Sequence, residues 1–444
     1  MGARNFGEDL KVYHLKQKLR TFLLAGSAAI LLIPNAQSAS LSENLQQLVK
    51  SHKRLIASNA DVSVAQEQIA VAKGGWYPTF DVTANIGHEE RNKPSGTDST
   101  NIVPRNLDMS LTQRLLDFGA TNSSIRSAEL NVDQAKATQE GTEQALIFEA
   151  IVAHLNIVRA HKIVKFAKGS AANIKRQTEL EDARVKRGAG LSTDVLQAKT
   201  QLAGALARQI QSEGALKIAL NRYRAVFGFL PDNVTNLMSP RLPLELLPKS
   251  LDETLKMAFM GNRQLDAARL GSDLAREDVR KTRIDGFMPV VEASVEANIK
   301  RDNGGTLGSQ QERLFKVEAT YSFNLGATAI NTLKASEQTH IATTNRYGDT
   351  KDATEEAARN AWDNLQTARQ NTEHLHLQAN IASEFLELAR RERQLGNRSL
   401  IDVLAGETAL INASSDAASA DTDVAIAVFG LLNVIGAVNT DVVK

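Results

Sequence analysis

Residues 291–300 read Val-Glu-Ala-Ser-Val-Glu-Ala-Asn-Ile-Lys. Successive side chains of a strand point to opposite faces, so Val291, Ala293, Val295, Ala297 and Ile299 line one face and Glu292, Ser294, Glu296, Asn298 and Lys300 the other. A Gly-rich loop near Asn303 to Ser309 follows. Then a return strand sets Phe315, Val317, Ala319, Tyr321 and Phe323 against Lys316, Glu318, Thr320, Ser322 and Asn324. The pattern predicts a hairpin over 289–325 with one apolar and one polar face. From Gly326 to about Leu395 the spacing turns helical, with Ile381, Phe385 and Leu388 on one stripe, and a turn at Gly396 leads into a returning helix. A two-faced hairpin feeding a very long helix admits few architectures.

The same order occurs earlier in the chain, offset by about 210 residues. Leu45 and Leu55 return as Leu255 and Leu265, Gly119-Ala120-Thr121 as Gly326-Ala327-Thr328, and Asp194-Val195-Leu196 as Asp402-Val403-Leu404. In this first copy a helix is predicted from Leu41 to about Lys73, ending at Pro78. Phe80, Val82, Ala84 and Ile86 alternate in one strand and Leu107, Met109 and Leu111 in the next, giving a hairpin over 78–116 with a polar loop from Arg91 to Asn101. A helix from Gly119 to about Arg187 would be on the order of 100 Å long at its ordinary rise per residue. The expected organisation is repeat 1 over 40–228, a linker over 229–250 holding Pro231, Pro240, Pro243 and Pro248, and repeat 2 over 251–444. The loops Arg91 to Asn101 and Asp302 to Gln311 are expected at the end of the strands away from the helices.

Composition narrows the function. Lys and Arg total 52 against 51 Asp and Glu, so no net field draws the chain to nucleic acid. Residues 1–39 read as a secretory signal: Lys16, Lys18 and Arg20 precede the apolar run Phe22 to Ile33, followed by Pro34 and small residues to Ala39. The apolar stretch Val424 to Val438 is short for a membrane span and reads as a buried helix. There is no Cys, hence no thiolate metal site, and the eight His are scattered. No phosphate-cradling loop, zinc pair or nucleophile elbow is present, so neither a cofactor nor an enzymatic activity is expected, and any energy must come from a partner.

Four strands cannot close a barrel, and an open sheet would leave both edges unpaired. Three chains would supply twelve strands, with the apolar faces toward lipid and the polar faces toward a water-filled lumen. The expected fold is therefore mainly α with a transmembrane β-barrel: a trimeric twelve-stranded barrel, four strands per chain, continuous with an α-helical coiled-coil barrel. The alternative, a periplasmic coiled-coil adaptor or structural protein, explains the helices but not four amphipathic strands feeding them.

With these elements in place the chain resembles the TolC family of outer-membrane efflux and type I secretion channels. The resemblance rests on Leu111-Thr112-Gln113-Arg114-Leu115-Leu116-Asp117-Phe118-Gly119 at the strand-to-helix junction. It rests also on a turn and returning-helix signature that occurs twice, at Arg187-Gly188 through Asp194-Val195-Leu196 and at Gly396 through Asp402-Val403-Leu404. It implies an outer-membrane homotrimer reaching into the periplasm, working with a periplasmic adaptor and an ABC or proton-driven inner-membrane transporter. It places the adaptor on the tips at Arg187, Gly188, Ala189, Gly396 and Asn397. Asp402 matches the family's entrance aspartate, Arg398 the arginine that helps hold the entrance closed, and Asp194 its partner from the first repeat. Two positions depart from the pattern: Ala405 stands where some members carry a second aspartate, and Arg393 where they carry a tyrosine. Three copies of one carboxylate in a narrow lumen would favour cations. The competing account is that Asp194 and Asp402 only serve helix N-termini.

Overall fold

The computed structural model describes residues 40–92 and 99–443, so the expected signal segment lies outside the described residues. Each repeat opens on two short helices rather than one: α1 (Leu41–Ser51) and α2 (Lys53–Gly74), then α5 (Leu251–Gly261) and α6 (Arg263–Phe287). This corrects the single helix expected to Lys73. The break falls at His52 and at its counterpart Asn262, both with extended backbone. His52 Nδ1 accepts from Arg54 N at 3.2 Å and Asn262 Oδ1 from Leu265 N at 3.0 Å, so each side chain starts a new helix by satisfying a free N–H.

The strands are β1 (Thr79–Ile86), β2 (Glu89–Arg91), β3 (Thr100–Ile102), β4 (Arg105–Leu116), β5 (Val290–Asn303) and β6 (Thr306–Thr320). β1, β4, β5 and β6 form one antiparallel sheet in that order, and β2 pairs only with β3, a short ladder at the base of the expected first loop that takes Arg91, Thr100 and Asn101 from it. Register aligns the predicted faces across the whole sheet. Phe80, Leu111, Val295 and Phe315 form one row, whereas Thr83, Asp108, Asn298 and Glu312 lie in a row on the opposite face. On that polar face Lys316 lies between Glu296 at 3.2 Å and Glu318 at 3.1 Å.

Two expectations about the second hairpin are corrected. The loop from Asp302 to Gln311 is mostly strand, because Ser309, Gln310 and Gln311 pair with Arg301, Lys300 and Ile299, and the turn is only Gly304-Gly305. Both glycines are left-handed, at φ 65° and 76°, as a two-residue hairpin turn requires. Ladder pairing needs backbone geometry and not apolar alternation, so polar residues extend the strands. The return strand ends at Thr320, opposite Val290, leaving Tyr321 and Phe323 outside the ladder. Pro289 precedes Val290, and α6 ends at Phe287, so no partner strand remains.

The long helices are α3 (Ala120–Lys186) and α7 (Thr328–Gln394), 67 residues each, and the returning helices are α4 (Ser192–Phe227) and α8 (Leu400–Val434). Asp117, 2% exposed, positions the start of α3 by accepting from Gly119 N at 3.0 Å and Thr121 N at 2.7 Å. Gly141, Gly169 and Gly348 leave the helices unbroken. Adjacency repeats from tier to tier. The strands run β1–β4–β5–β6, the helices next to them α2–α3–α6–α7, and those toward the turns α4–α3–α8–α7. Each tier is an open four-membered strip with repeat 1 at one edge and repeat 2 at the other.

The main core lies at mid-length, where Leu45, Leu146, Ile151, Leu155, Tyr223, Leu365, Phe429 and Leu432 pack together. Helix α8 is long and apolar enough to cross a membrane by length and composition, but Val428, Phe429, Leu431 and Leu432 are already buried in this core. The Pro-rich linker is not a free tether. Leu237, Leu242 and Leu247 pack on the core, and His154 Nε2 lies 2.9 Å from the Met238 carbonyl oxygen. Burial holds His154 below the usual imidazole range. At the same level Gly261 meets Gly436 backbone to backbone: a Cβ on Gly261 would collide with the Ile435 carbonyl oxygen, and one on Gly436, at φ 72°, with that of Gly261. Gly261→Ala and Gly436→Ala are each expected to cost about 1–3 kcal/mol by overpacking, read as a lowered urea midpoint of the helical signal. An unchanged midpoint in both would show that this crossing tolerates a methyl group.

Candidate functional site

The turns that join α3 to α4 and α7 to α8 have the same backbone design. Helix α3 gives way to Arg187 and then Gly188 at φ 74°, with Gly188 N donating to Val185 O at 2.9 Å and Ala189 N to Arg184 O at 3.0 Å. Helix α7 gives way to Leu395 and then Gly396 at φ 83°, with Gly396 N donating to Arg393 O at 3.1 Å and Asn397 N to Glu392 O at 2.9 Å. Both are Schellman ends, in which a left-handed glycine lets two N–H groups reach back to the last free carbonyls. Thus Arg187, Gly188, Ala189, Gly396 and Asn397 all sit on exposed or half-exposed turns at one end of the helices.

The two returning helices start differently. Ser399 Oγ accepts from Asp402 N at 3.2 Å and caps α8, whereas Leu191 has no side chain that can cap α4. Ser399 thus satisfies one of the free N–H groups at the start of α8, and the Asp402 carboxylate, in the first turn of that helix, is half exposed. Arg398 approaches that carboxylate at 3.5 Å through Nε, donates to Glu392 Oε2 at 2.8 Å through Nη1, and lies 5.1 Å from the centre of the Phe385 ring. Asp194 sits in the first turn of α4. Within one chain Arg398 takes Glu392 and Asp402 as partners, and among the described residues Asp194 has no ion-pair partner.

Arg393, a departure from the family pattern, occupies a central position. Its Nη2 donates to Glu181 Oε2 at 3.0 Å and its Nη1 to the Arg398 carbonyl at 3.1 Å, so one guanidinium joins α3 to the α7–α8 turn. The Glu181 side chain is 6% exposed and also faces Arg184 at 3.7 Å. Beside it Glu407, 3% exposed, pairs with Arg390 across α7 and α8. A small cavity of about 210 Å³ lies among Glu181, Arg184, Arg390 and Arg393.

The repeat explains part of this network. The positions in repeat 1 that match Arg390 and Glu407 are Asp182 and Lys199, which form an ion pair at 3.8 Å with the charges reversed. Lys186 lies 2.7 Å from Asp182 and, with Lys199, holds its carboxyl below the usual carboxylate range. Sequence reading missed Glu181, Arg390 and Glu407. The available signal was the swapped pair at matched positions, together with one glutamate in the otherwise uncharged run Val403 to Asn412.

Among the described residues no group of three or more His, Asp or Glu could hold a metal ion. The arrangement suits a mechanical role, with helix pairs held together by ion pairs around a turn whose carboxylates remain accessible.

Comparison with known proteins agrees in extent as well as in kind. The chain is 25% identical over 408 residues to the outer membrane efflux protein BepC of Brucella suis, spanning 91% of this chain and 87% of that protein. It is 23% identical over 426 residues to the outer membrane protein TolC of Escherichia coli, spanning 90% and 84%. Among solved structures, the outer-membrane channel OprN superposes with a TM-score of 0.78 over 90% of each chain, at 20% identity. The family model described as outer membrane efflux protein matches residues 44–228 and 254–437, both repeats, and the chain belongs to that family.

Proposed function

We propose that three copies of this chain close into one continuous duct, a twelve-stranded barrel in the outer membrane joined to a helical tube in the periplasm. The observation that carries this reading is the repeated strip. In every tier both edges are unpaired: β1 and β6 each lack a partner strand on one side, and the edge helices expose apolar side chains, Ile56, Val64 and Val71 on α2 with Ile330 and Ile341 on α7 next to the strands, and Leu196, Ile210 and Ile218 on α4 with Leu377, Ile381 and Leu388 on α7 toward the turns. A neighbouring copy whose repeat 1 edge meets this repeat 2 edge satisfies all three tiers at once. Four strands tripled give an even-stranded barrel of ordinary size. Native mass measurement or cross-linking of the detergent-purified protein should find three copies. A stable monomer or dimer with intact strands would defeat the architecture.

In this reading the duct is passive. An adaptor docks on the helix-turn tips, an ABC or proton-driven transporter supplies the energy, and the clasps around Asp402 and Arg398 hold the entrance closed. Signal removal near Ala39 would release the chain for export to the periplasm. The tips are the regularly repeated end surface of such a tube, which is why docking is assigned to Arg187, Gly188, Ala189, Gly396 and Asn397. A Cβ at Gly188 or Gly396 meets nothing within 4 Å, so the first side-chain atom is opposed only by the left-handed backbone, at about 1–2 kcal/mol for an ordinary residue and more for a β-branched one. Gly188→Val and Gly396→Val are therefore expected to leave the trimer assembled while export is lost, because reshaping the turn spoils the docking surface. Undiminished export in both variants would remove the tips from the docking site.

A further inference from the structure

We propose that the wall formed by α3, α8 and α7 carries a binding pocket for a small amphipathic organic anion, an apolar or aromatic body bearing one carboxylate or sulfonate. The pocket, about 390 Å³ in volume, lies between the tips and the mid-length core and is separate from the entrance clasps. Its volume falls within the ordinary range of small-molecule sites. Three successive helices build it. Helix α8 contributes a recessed floor, Ala417 and Ala418, with Ser414 at one end; Phe166 of α3 and Ala379 of α7 extend the apolar surface.

Two of the polar groups that line it are lysine ammonium groups. Lys162 and Lys165, one turn apart on α3, form no ion pair or hydrogen bond among the described residues. Their neighbours on the same helix do: Arg159 pairs with Asp423 at 2.8 Å and Lys168 with Glu213 at 3.2 Å. The one carboxylate in the pocket, Asp421, is already engaged by His376 Nε2 at 2.7 Å. Two ammonium groups therefore overhang an apolar floor with no counter-charge of their own, and the ligand that completes them is an anion whose body covers Phe166 and the alanines. The pocket sits over α8, on one face of the wall, so the edges at α4 and the outer stripe of α7 can meet a second copy without filling it.

The test is equilibrium dialysis of the purified full chain in detergent against 2-naphthoate, with 2-naphthalenemethanol as the neutral isostere and a protein-free micelle blank. Binding of naphthoate above the blank, about tenfold tighter than the alcohol, is expected. The double variant Lys162→Gln, Lys165→Gln should reduce naphthoate to the level of the alcohol, and Ala379→Leu should weaken both probes by filling the pocket from its α7 side. Equal affinity for acid and alcohol, no binding above the blank, or an unchanged affinity in the lysine variant would each overturn the proposal. Because the experiment reads binding and not transport, its failure leaves the duct reading untouched, and a failed trimer leaves this pocket still to be measured.

Discussion

Replacing Arg390 with Met is expected to cost about 3 kcal/mol of stability, the lower end of what breaking a buried ion pair costs, because the remaining Glu407 carboxylate is left in the protein interior without a counter-charge. Arg390 itself is part exposed and loses little on its own account. The loss should appear as a lowered urea midpoint of the helical signal, concentrated in the α7–α8 half of the tip. Removing both charges, Arg390→Met with Glu407→Met, should recover most of it, since a well-packed apolar pair replaces a buried ionic one with little net change. A sharper rescue comes from the repeat. Asp182 and Lys199 occupy the matching positions with opposite charges, so the double variant Arg390→Asp, Glu407→Lys should hold together where Arg390→Asp alone does not. The corresponding change in repeat 1, Lys199→Met, is expected to leave the midpoint where it was: Asp182 is in contact with water and keeps Lys186. If Arg390→Met and Lys199→Met behave alike, burial does not set the strength of these clasps.

In the proposed duct, conductance should respond most to Arg398 and Asp402. Arg398→Ser removes the links to Glu392 and Asp402 and the contact with Phe385 together, and single-channel conductance in planar bilayers is expected to rise several-fold as the helix pairs part. In the proposed trimer, Asp402→Ala should instead leave the closed state largely in place while weakening cation preference and block by multivalent cations, because that arrangement would lose three carboxylates from its entrance. Arg393→Ala belongs with Arg398→Ser: it cuts the tie between α3 and α7 at Glu181 and frees the Arg398 carbonyl. The two arginines share a contact, so the effects of the double variant should fall short of their sum. Conductance, selectivity and block all unchanged in these variants would place the gate elsewhere and reduce the carboxylate to a structural group.

Much of the fold was readable from residues 291–300 outward because the deciding signals are local. A period of two fixes which side chains share a face, and the partner strand then has to match, as the rows through Phe80, Leu111, Val295 and Phe315 do. Gly188 and Gly396 mark the turns because only a left-handed residue ends a helix in that way. The repeat was visible because equal sequence distances survive divergence of side chains. The break at His52 was less legible: neither Pro nor Gly announces it, and its cause is one imidazole nitrogen finding a backbone N–H. The true length of the second hairpin was hidden for a related reason, since Ser309 to Gln311 carry no apolar alternation and pair through the backbone alone.

By itself, then, the sequence determined the kinds of element, their order, their duplication and the two turns, all of which depend on residues a few positions apart. Only the tertiary structure decided which helices are neighbours. The order α4–α3–α8–α7 brings Arg393 to Glu181 and buries Glu407, and no local pattern encodes it. The uncharged run around Glu407 hints at burial, but the sequence does not say how far water reaches a carboxylate. That depends on what the rest of the chain packs against it, and here that packing separates the buried clasp at Glu407 from its half-exposed counterpart at Asp182.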